Sequence, residues 1–304
     1  MMPGLSIFKG LVMHSEHYFE SADGLRLFYR QFDARPQAQT SVVPILCLHG
    51  LTRNSRDFTD VATHLASNSR NKPRRVIVPD VRGRGFSAYD PEPEHYQPGF
   101  YAQDMWALLD HLAIERCVII GTSMGGVIAM IMALQQPQRI AGVVLNDIGP
   151  ELDEAGLQRI ASYVGERTDV RSWDDAAALC KRINECALPD YSAADWLQFA
   201  RNTFREDAQG VPRADYDPAI ALMFQQVDGK SAAEKAWQVF NQLRQPMLVL
   251  RGAISDLLSA AIVEKMRAGH PDLTAAEIPR RGHAPMLNEP ESLAAIDRFL
   301  QRFK

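Results

Sequence analysis

The sequence predicts an α/β fold: a doubly wound, mostly parallel sheet with a helical cap inserted into it. Three observations carry that reading. Short β-rich runs alternate with helical stretches over most of the chain, as a parallel sheet with crossover helices requires. The runs are almost continuously apolar, as expected of strands covered on both faces. One inter-strand connection, residues 149–245, far exceeds the usual length of about 2 to 6 residues and carries helical periodicity of its own.

In chain order, residues 17–32 alternate apolar and polar side chains around the turn pair Asp23-Gly24 and read as an antiparallel hairpin. Strands are then predicted over residues 43–48, 75–79, 117–120, 142–146, 246–250 and 273–278. Helices are predicted over 56–66, 99–112, 124–136, 259–268 and 290–303, the last opening on Asn288 as a cap. Residues 1–148 and 246–304 thus form the core domain and 149–245 the cap, with helical patterns over 157–164, 174–186, 193–204, 219–227 and 232–243. The cap holds Trp173, Trp196 and Trp237, and no repeat or low-complexity run interrupts the chain.

Composition narrows the function. With 304 residues, 46% apolar and 23% charged, the chain is ordinary for a globular protein and excludes disordered and fibrous classes. A net charge of −4 lacks the basic excess that a nucleic-acid partner demands. Cys47, Cys117, Cys180 and Cys186 form no C-x-x-C pair and read as reduced thiols. The stretch Met1 to Val12 lacks the apolar core and cleavage site of a secretion signal, so a cytoplasmic location is expected. Residues 117–134 are uncharged over about the length of a membrane span, but the Thr-Ser-Met-Gly-Gly in their middle fits a strand, a turn and a helix better. No membrane partner is expected.

The sharpest chemical signal is Gly121-Thr122-Ser123-Met124-Gly125-Gly126, between an apolar strand and an apolar helix. A serine on so sharp a turn takes strained backbone angles, and the flanking glycines remove colliding side chains. The helix N-terminus then faces the same point, where the Met124 N–H can donate to a developing oxyanion. In His49-Gly50-Leu51, Gly50 permits an abrupt turn that lets the Leu51 N–H serve as a second donor, and His49 reads as structural. His283 stands in the loop after the last strand. Two aspartates at strand ends compete as its acid: Asp256, which the sequence favours, and Asp147, assigned instead to backbone donors at the entry to the cap. The other histidines lack metal-ligand spacing, and neither a P-loop nor G-x-G-x-x-G occurs, so no metal or cofactor is expected.

Together with Asp80-Val-Arg-Gly-Arg-Gly-Phe-Ser87 and Arg251-Gly-Ala-Ile-Ser-Asp256, these motifs resemble the α/β-hydrolase superfamily. The resemblance implies Ser123 as nucleophile, Asp256 as acid, His283 as base, and the Leu51 and Met124 N–H groups as oxyanion hole. It implies that residues 82–87 are a structural loop. Serine at 123 argues against the haloalkane dehalogenase and epoxide hydrolase branches, which use aspartate there. Leu-Thr-Arg-Asn after Gly50 is unlike the glycine- and proline-rich run of carbon–carbon bond hydrolases. The expected reaction is hydrolysis of a small, largely apolar ester or lactone, as in carboxylesterases and lactonases. A carbon–carbon bond hydrolase or acyltransferase on the same triad is the alternative, and a non-catalytic binding protein ranks last. The cap tryptophans with Phe199, Phe204, Met223, Phe224 and Phe240 are candidates for the pocket wall.

Overall fold

The structure is a computed structural model that describes residues 14–33, 42–67, 72–165, 169–224 and 229–303. Residues 1–12, residues 225–227 of the helix expected over 219–227, and the side chains of Met223 and Phe224 lie outside what it describes. The chain opens with β1 (His14–Glu20) and β2 (Arg26–Phe32), then β3 (Ile45–Leu48), a short 3₁₀ turn and α1 (Thr59–Ser67). There follow β4 (Val76–Pro79), α2 (Pro98–His111), β5 (Cys117–Thr122), α3 (Met124–Gln135) and β6 (Ile140–Asn146). After the long connection come β9 (Met247–Gly252), α8 (Ala260–Gly269), β10 (Leu273–Ile278) and α9 (Pro290–Leu300). The connection holds α4 (Glu154–Ala161), α5 (Trp173–Asn184), α6 (Ala193–Thr203), β7 (Phe204–Glu206), β8 (Pro212–Ala214) and α7 (Gly229–Phe240).

Eight strands form one sheet in the order β1-β2-β4-β3-β5-β6-β9-β10. β1, β2 and β4 pair antiparallel, and every later neighbour pairs parallel. The alternation of side chains along each strand divides the core. Leu46, Leu48, Ile119 and Val249 face a cluster with α2, α3 and α8, whereas Ile45, Cys47, Val118, Ile120 and Leu250 face one with α1 and α9. The apolar run at 117–134 resolves into β5 and α3, and among the described residues no helix is long and apolar enough to cross a membrane.

In the connection, α5 and α6 open on capping boxes, Ser172 with Asp175 and Ser192 with Asp195. They pack Trp196, Phe199, Cys180 and Leu188 into a small core of their own. Ile160, Val164, Ile220, Phe240 and Leu243, nearer its ends, join the main core. The β7–β8 pair is too short for periodicity to announce, so the sequence reading missed it. The N-cap position of α9 is Glu289 rather than Asn288, and its side chain accepts from no helix N–H: the carboxylate takes the Met286 N–H before the helix and the Ser292 hydroxyl, while Asn288 bonds Asp60.

The loop at 82–87 is a brace. Arg82, nearly inaccessible, donates to Asp104 at 2.6 and 2.7 Å, to Asp90 at 2.5 Å and to Asp23 at 2.9 Å. Among the described residues the one grouping spaced for a metal ion, Asp23, Asp90 and His95, therefore already has a cation between its carboxylates. Arg82→Met leaves these carboxylates uncompensated and is expected to destabilise the fold by about 3–5 kcal/mol. The measurement is the urea midpoint, and a change under about 1 kcal/mol would contradict this account.

Candidate active site

β5 ends at Thr122 and α3 begins at Met124, so Ser123 alone makes the turn. Its φ of 51° and ψ of −118° lie in a region that costs a side-chain-bearing residue about 1–3 kcal/mol. Close packing enforces it. A Cβ on Gly121 would lie 2.4 Å from the Gly125 carbonyl carbon, one on Gly125 2.0 Å from the Leu48 carbonyl oxygen, and one on Gly126 2.3 Å from Ile148 Cγ2. The neighbouring strand helps, for the Ser123 N–H donates to the Asn146 carbonyl at 3.1 Å.

The Ser123 hydroxyl lies 3.0 Å from His283 Nε2, and His283 Nδ1 lies 2.9 Å from Asp147 Oδ2. An ionised carboxylate only accepts, so Nδ1 carries the ring proton and Nε2 is free to accept from the serine. The acid beside His283 is thus Asp147, not Asp256. Asp147, fully buried, also accepts from the Gly252 N–H at 2.7 Å and the Ser255 hydroxyl at 2.6 Å. Ser255 Oγ in turn accepts from the Leu257 and Leu258 N–H groups, which leaves its own proton for Asp147. Asp256, one residue on, turns to the cap and takes a two-pronged bond from Arg159 at 2.5 and 2.8 Å. Burial works to raise the Asp256 carboxyl, but the hydrogen bonds and charge of Arg159 hold it below the usual carboxylate range.

Side chains that the motif reading passed over hold this arrangement. The Asn146 amide donates to Thr122 Oγ1 at 3.0 Å and to the Pro285 carbonyl at 2.8 Å, joining the serine turn to the histidine loop. Arg281 fixes the other side of that loop, donating to Glu289 at 3.1 Å and to Asp190 of the cap at 2.6 Å. His49 is structural: its Nε2 accepts from the Val81 N–H at 3.0 Å and its Nδ1 donates to the Gly50 carbonyl at 2.8 Å. Burial drives its pKa down to about 4, so it stays neutral.

Among the described residues neither the Leu51 nor the Met124 N–H donates to a protein group. Fully buried Arg84 touches both residues, donating from Nε to the Leu51 carbonyl at 2.9 Å and meeting Met124 Sδ at 3.7 Å from Nη2. The 82–87 loop carries a sequence signal, but that signal does not single out Arg84 from Arg82.

Above Ser123 and His283 opens a cavity of about 440 Å³ with a mainly apolar wall. Leu157 and Ile160 of α4, Leu179 and Ile183 of α5, and Phe199 and Phe204 contribute from the connection. Trp173, Trp196, Trp237 and Phe240 do not line it: Trp196 packs at a tilt against Tyr191 and edge-on against Phe199, and Trp237 bonds Glu151. The cap tryptophans are packing, and two of the phenylalanines are wall.

Residues 43–290 match the family model described as the alpha/beta hydrolase fold. The chain belongs to the α/β-hydrolase family. It is 32% identical to the 3-hydroxybutyrate-oligomer hydrolase of Cupriavidus necator over 84% of this chain and 87% of that one. It is 24% identical to the 2-(acetamidomethylene)succinate hydrolase of Mesorhizobium japonicum, again over 84% of this chain and 87% of that one. The crystal structure of an α/β-hydrolase from Novosphingobium aromaticivorans superposes with a TM-score of 0.86 at 42% identity, covering 96% of this chain and all of that one. The chain is accordingly a hydrolase of this fold.

The close packing of the α/β-hydrolase turn yields a prediction. Gly125→Ala drives a methyl into the Leu48 carbonyl and is expected to cost about 1–3 kcal/mol, read as a lowered Tm by circular dichroism. Unchanged melting would mean that the turn is looser than described.

Proposed function

We propose that this hydrolase cleaves small, largely apolar carboxylic esters, open-chain or lactone, through an acyl-enzyme. The observation that carries the reading is the continuous relay Ser123–His283–Asp147 opening into an apolar cavity. Ser123 Oγ attacks the carbonyl carbon as its proton passes to His283 Nε2. Asp147 holds the ring in the required tautomer and stabilises the imidazolium without itself being protonated. The Leu51 and Met124 N–H groups receive the negative oxygen of the tetrahedral intermediate. Collapse expels the alcohol, which takes its proton from His283. Water, deprotonated by the same nitrogen, then attacks the acyl carbon, and the acid leaves as Ser123 Oγ regains its proton. The Cupriavidus relative, by its name a hydrolase of 3-hydroxybutyrate oligomers, supports short acyl chains.

The test is labelling by a fluorophosphonate together with hydrolysis of a short p-nitrophenyl ester. Ser123→Ala is expected to abolish both without lowering Tm, since alanine at the strained turn loses only a hydroxyl. Turnover undiminished in that variant would end the mechanism. Labelling without hydrolysis of any ester or lactone would move the activity to carbon–carbon cleavage or acyl transfer.

The two carboxylates are separated by a second measurement. Asp147→Asn is expected to lower kcat by about 10⁴-fold, because an amide there favours the wrong ring tautomer. Asp256→Asn, which removes a partner of Arg159, is expected to cost less than about tenfold. The reverse ranking, with both variants folded by circular dichroism, would return the acid role to Asp256.

A further inference from the structure

Among the residues that line the cavity, the acidic and strongly basic side chains are those of Asp57 and Arg53. Arg53 follows Leu51 closely in the chain, and its stem and Ser123 both border Gly50: a Cβ built on Gly50 would sit 3.5 Å from Arg53 Cγ and 3.8 Å from Ser123 Cβ. Arg53 Nε and Nη2 each donate to one oxygen of Asp57 at 2.6 Å, Nη1 donates to Thr203 Oγ1 on the cap, and the guanidinium stacks on Phe199 at 4.1 Å. Such a pair in an apolar wall carries a desolvation cost that apolar side chains of the same volume would avoid. Polar groups in an otherwise apolar pocket are the ones that orient a ligand.

We propose that Arg53 and Asp57 form a subsite for a hydroxyl group carried on the acyl chain, so that the substrates are esters of hydroxy acids. This rests on the ester reading above and adds the group that is recognised. The pair is formally neutral. Three of the five guanidinium N–H groups are engaged, and each Asp57 oxygen accepts one bond from Arg53, which leaves donors and lone pairs on both partners. A hydroxyl can accept from Arg53 and donate to Asp57 at once. A carboxylate meets the Asp57 charge, and an ammonium meets that of Arg53. A plain alkyl chain leaves both partners facing it without a bond, so it is disfavoured but not blocked.

The experiment compares kcat/KM for ethyl 3-hydroxybutyrate, ethyl butyrate and ethyl hydrogen succinate by acid release. The parent is expected to prefer the hydroxy ester over ethyl butyrate by about tenfold or more, with the succinate monoester poorest. In Arg53→Met, and in Arg53→Met/Asp57→Leu, which keeps an apolar pair if the single variant fails to fold, the hydroxy-to-plain ratio is expected to fall to about one. A parent ratio near one, a ratio that survives in the double variant, or a succinate monoester taken best would each overturn the subsite. A second arm does not depend on ester cleavage: 3-hydroxybutyramide is expected to slow fluorophosphonate labelling of Ser123 at about a tenth of the concentration that butyramide needs. If no ester is cleaved yet this protection holds, the ester reading fails and the subsite stands; equal protection by the two amides overturns the subsite.

Discussion

One buried carboxylate ties together the segments on which the site depends. Asp147 has no solvent to compensate its charge, and a carboxylate so placed costs several kcal/mol unless protein donors surround it. Its donors come from three places: the Gly252 N–H at the end of β9, the Ser255 hydroxyl just beyond, and His283 in the loop after β10. β6 reaches Ser123 as well, since the Asn146 carbonyl accepts the Ser123 N–H and the Asn146 amide holds the histidine loop. The parallel register that sets Asn146 opposite both Thr122 and Leu250 thereby decides where Asp147, His283 and Ser123 meet. Strand pairing alone could not hold the imidazole; the carboxylate converts sheet register into side-chain geometry.

Much of this was legible in the sequence, because its signals are local. A strand, a G-x-S-x-G-G turn and an apolar helix lie within residues 117–135, and each glycine there has a steric reason that any chain making the turn must meet. His283 was legible for the same reason, being in the loop after the last strand. The choice between Asp147 and Asp256 was not. Both follow strands that are neighbours in the sheet, so position alone leaves them equivalent. What separates them is Ser255, whose Oγ accepts from two backbone N–H groups and so turns its own proton to Asp147, and Arg159, distant in sequence, which draws Asp256 away. Neither influence has a signature in the sequence around the aspartates.

The connection between β6 and β9 shows the same limit. Periodicity and capping residues announce α5 and α6, but a helix has more than one apolar neighbour available, and its own pattern does not say which face meets the cavity. Trp196 and Phe199 sit three residues apart on α6; the first fills the small core of the connection and the second also walls the cavity. Aromatic content suggests a pocket, yet Trp173 and Trp196 belong to the small core of α5 and α6, Trp237 and Phe240 belong to the main core, and smaller side chains of α4 and α5 shape the space above Ser123.

The pairing of Asp256 with Arg159 links this wall to the charge balance of the site. Two carboxylates stand near His283, and the one bonded to the ring has no arginine among its partners. Arg159 neutralises the other from α4. The same helix is fixed to that loop by backbone bonds from Gly156 to Asp256 and from Asp153 to Leu257, at distances of 3.1 and 2.9 Å. A Cβ at Gly156 would lie 2.7 Å from the Asp256 carbonyl oxygen, so the close approach requires glycine there. The seating of α4 and the neutralisation of Asp256 therefore go together: the helix that carries Arg159 to a carboxylate near His283 also supplies Leu157 and Ile160 to the cavity wall. The part of the chain that encloses the cavity thus also leaves Asp147 as the one of the two carboxylates near the histidine that no arginine neutralises.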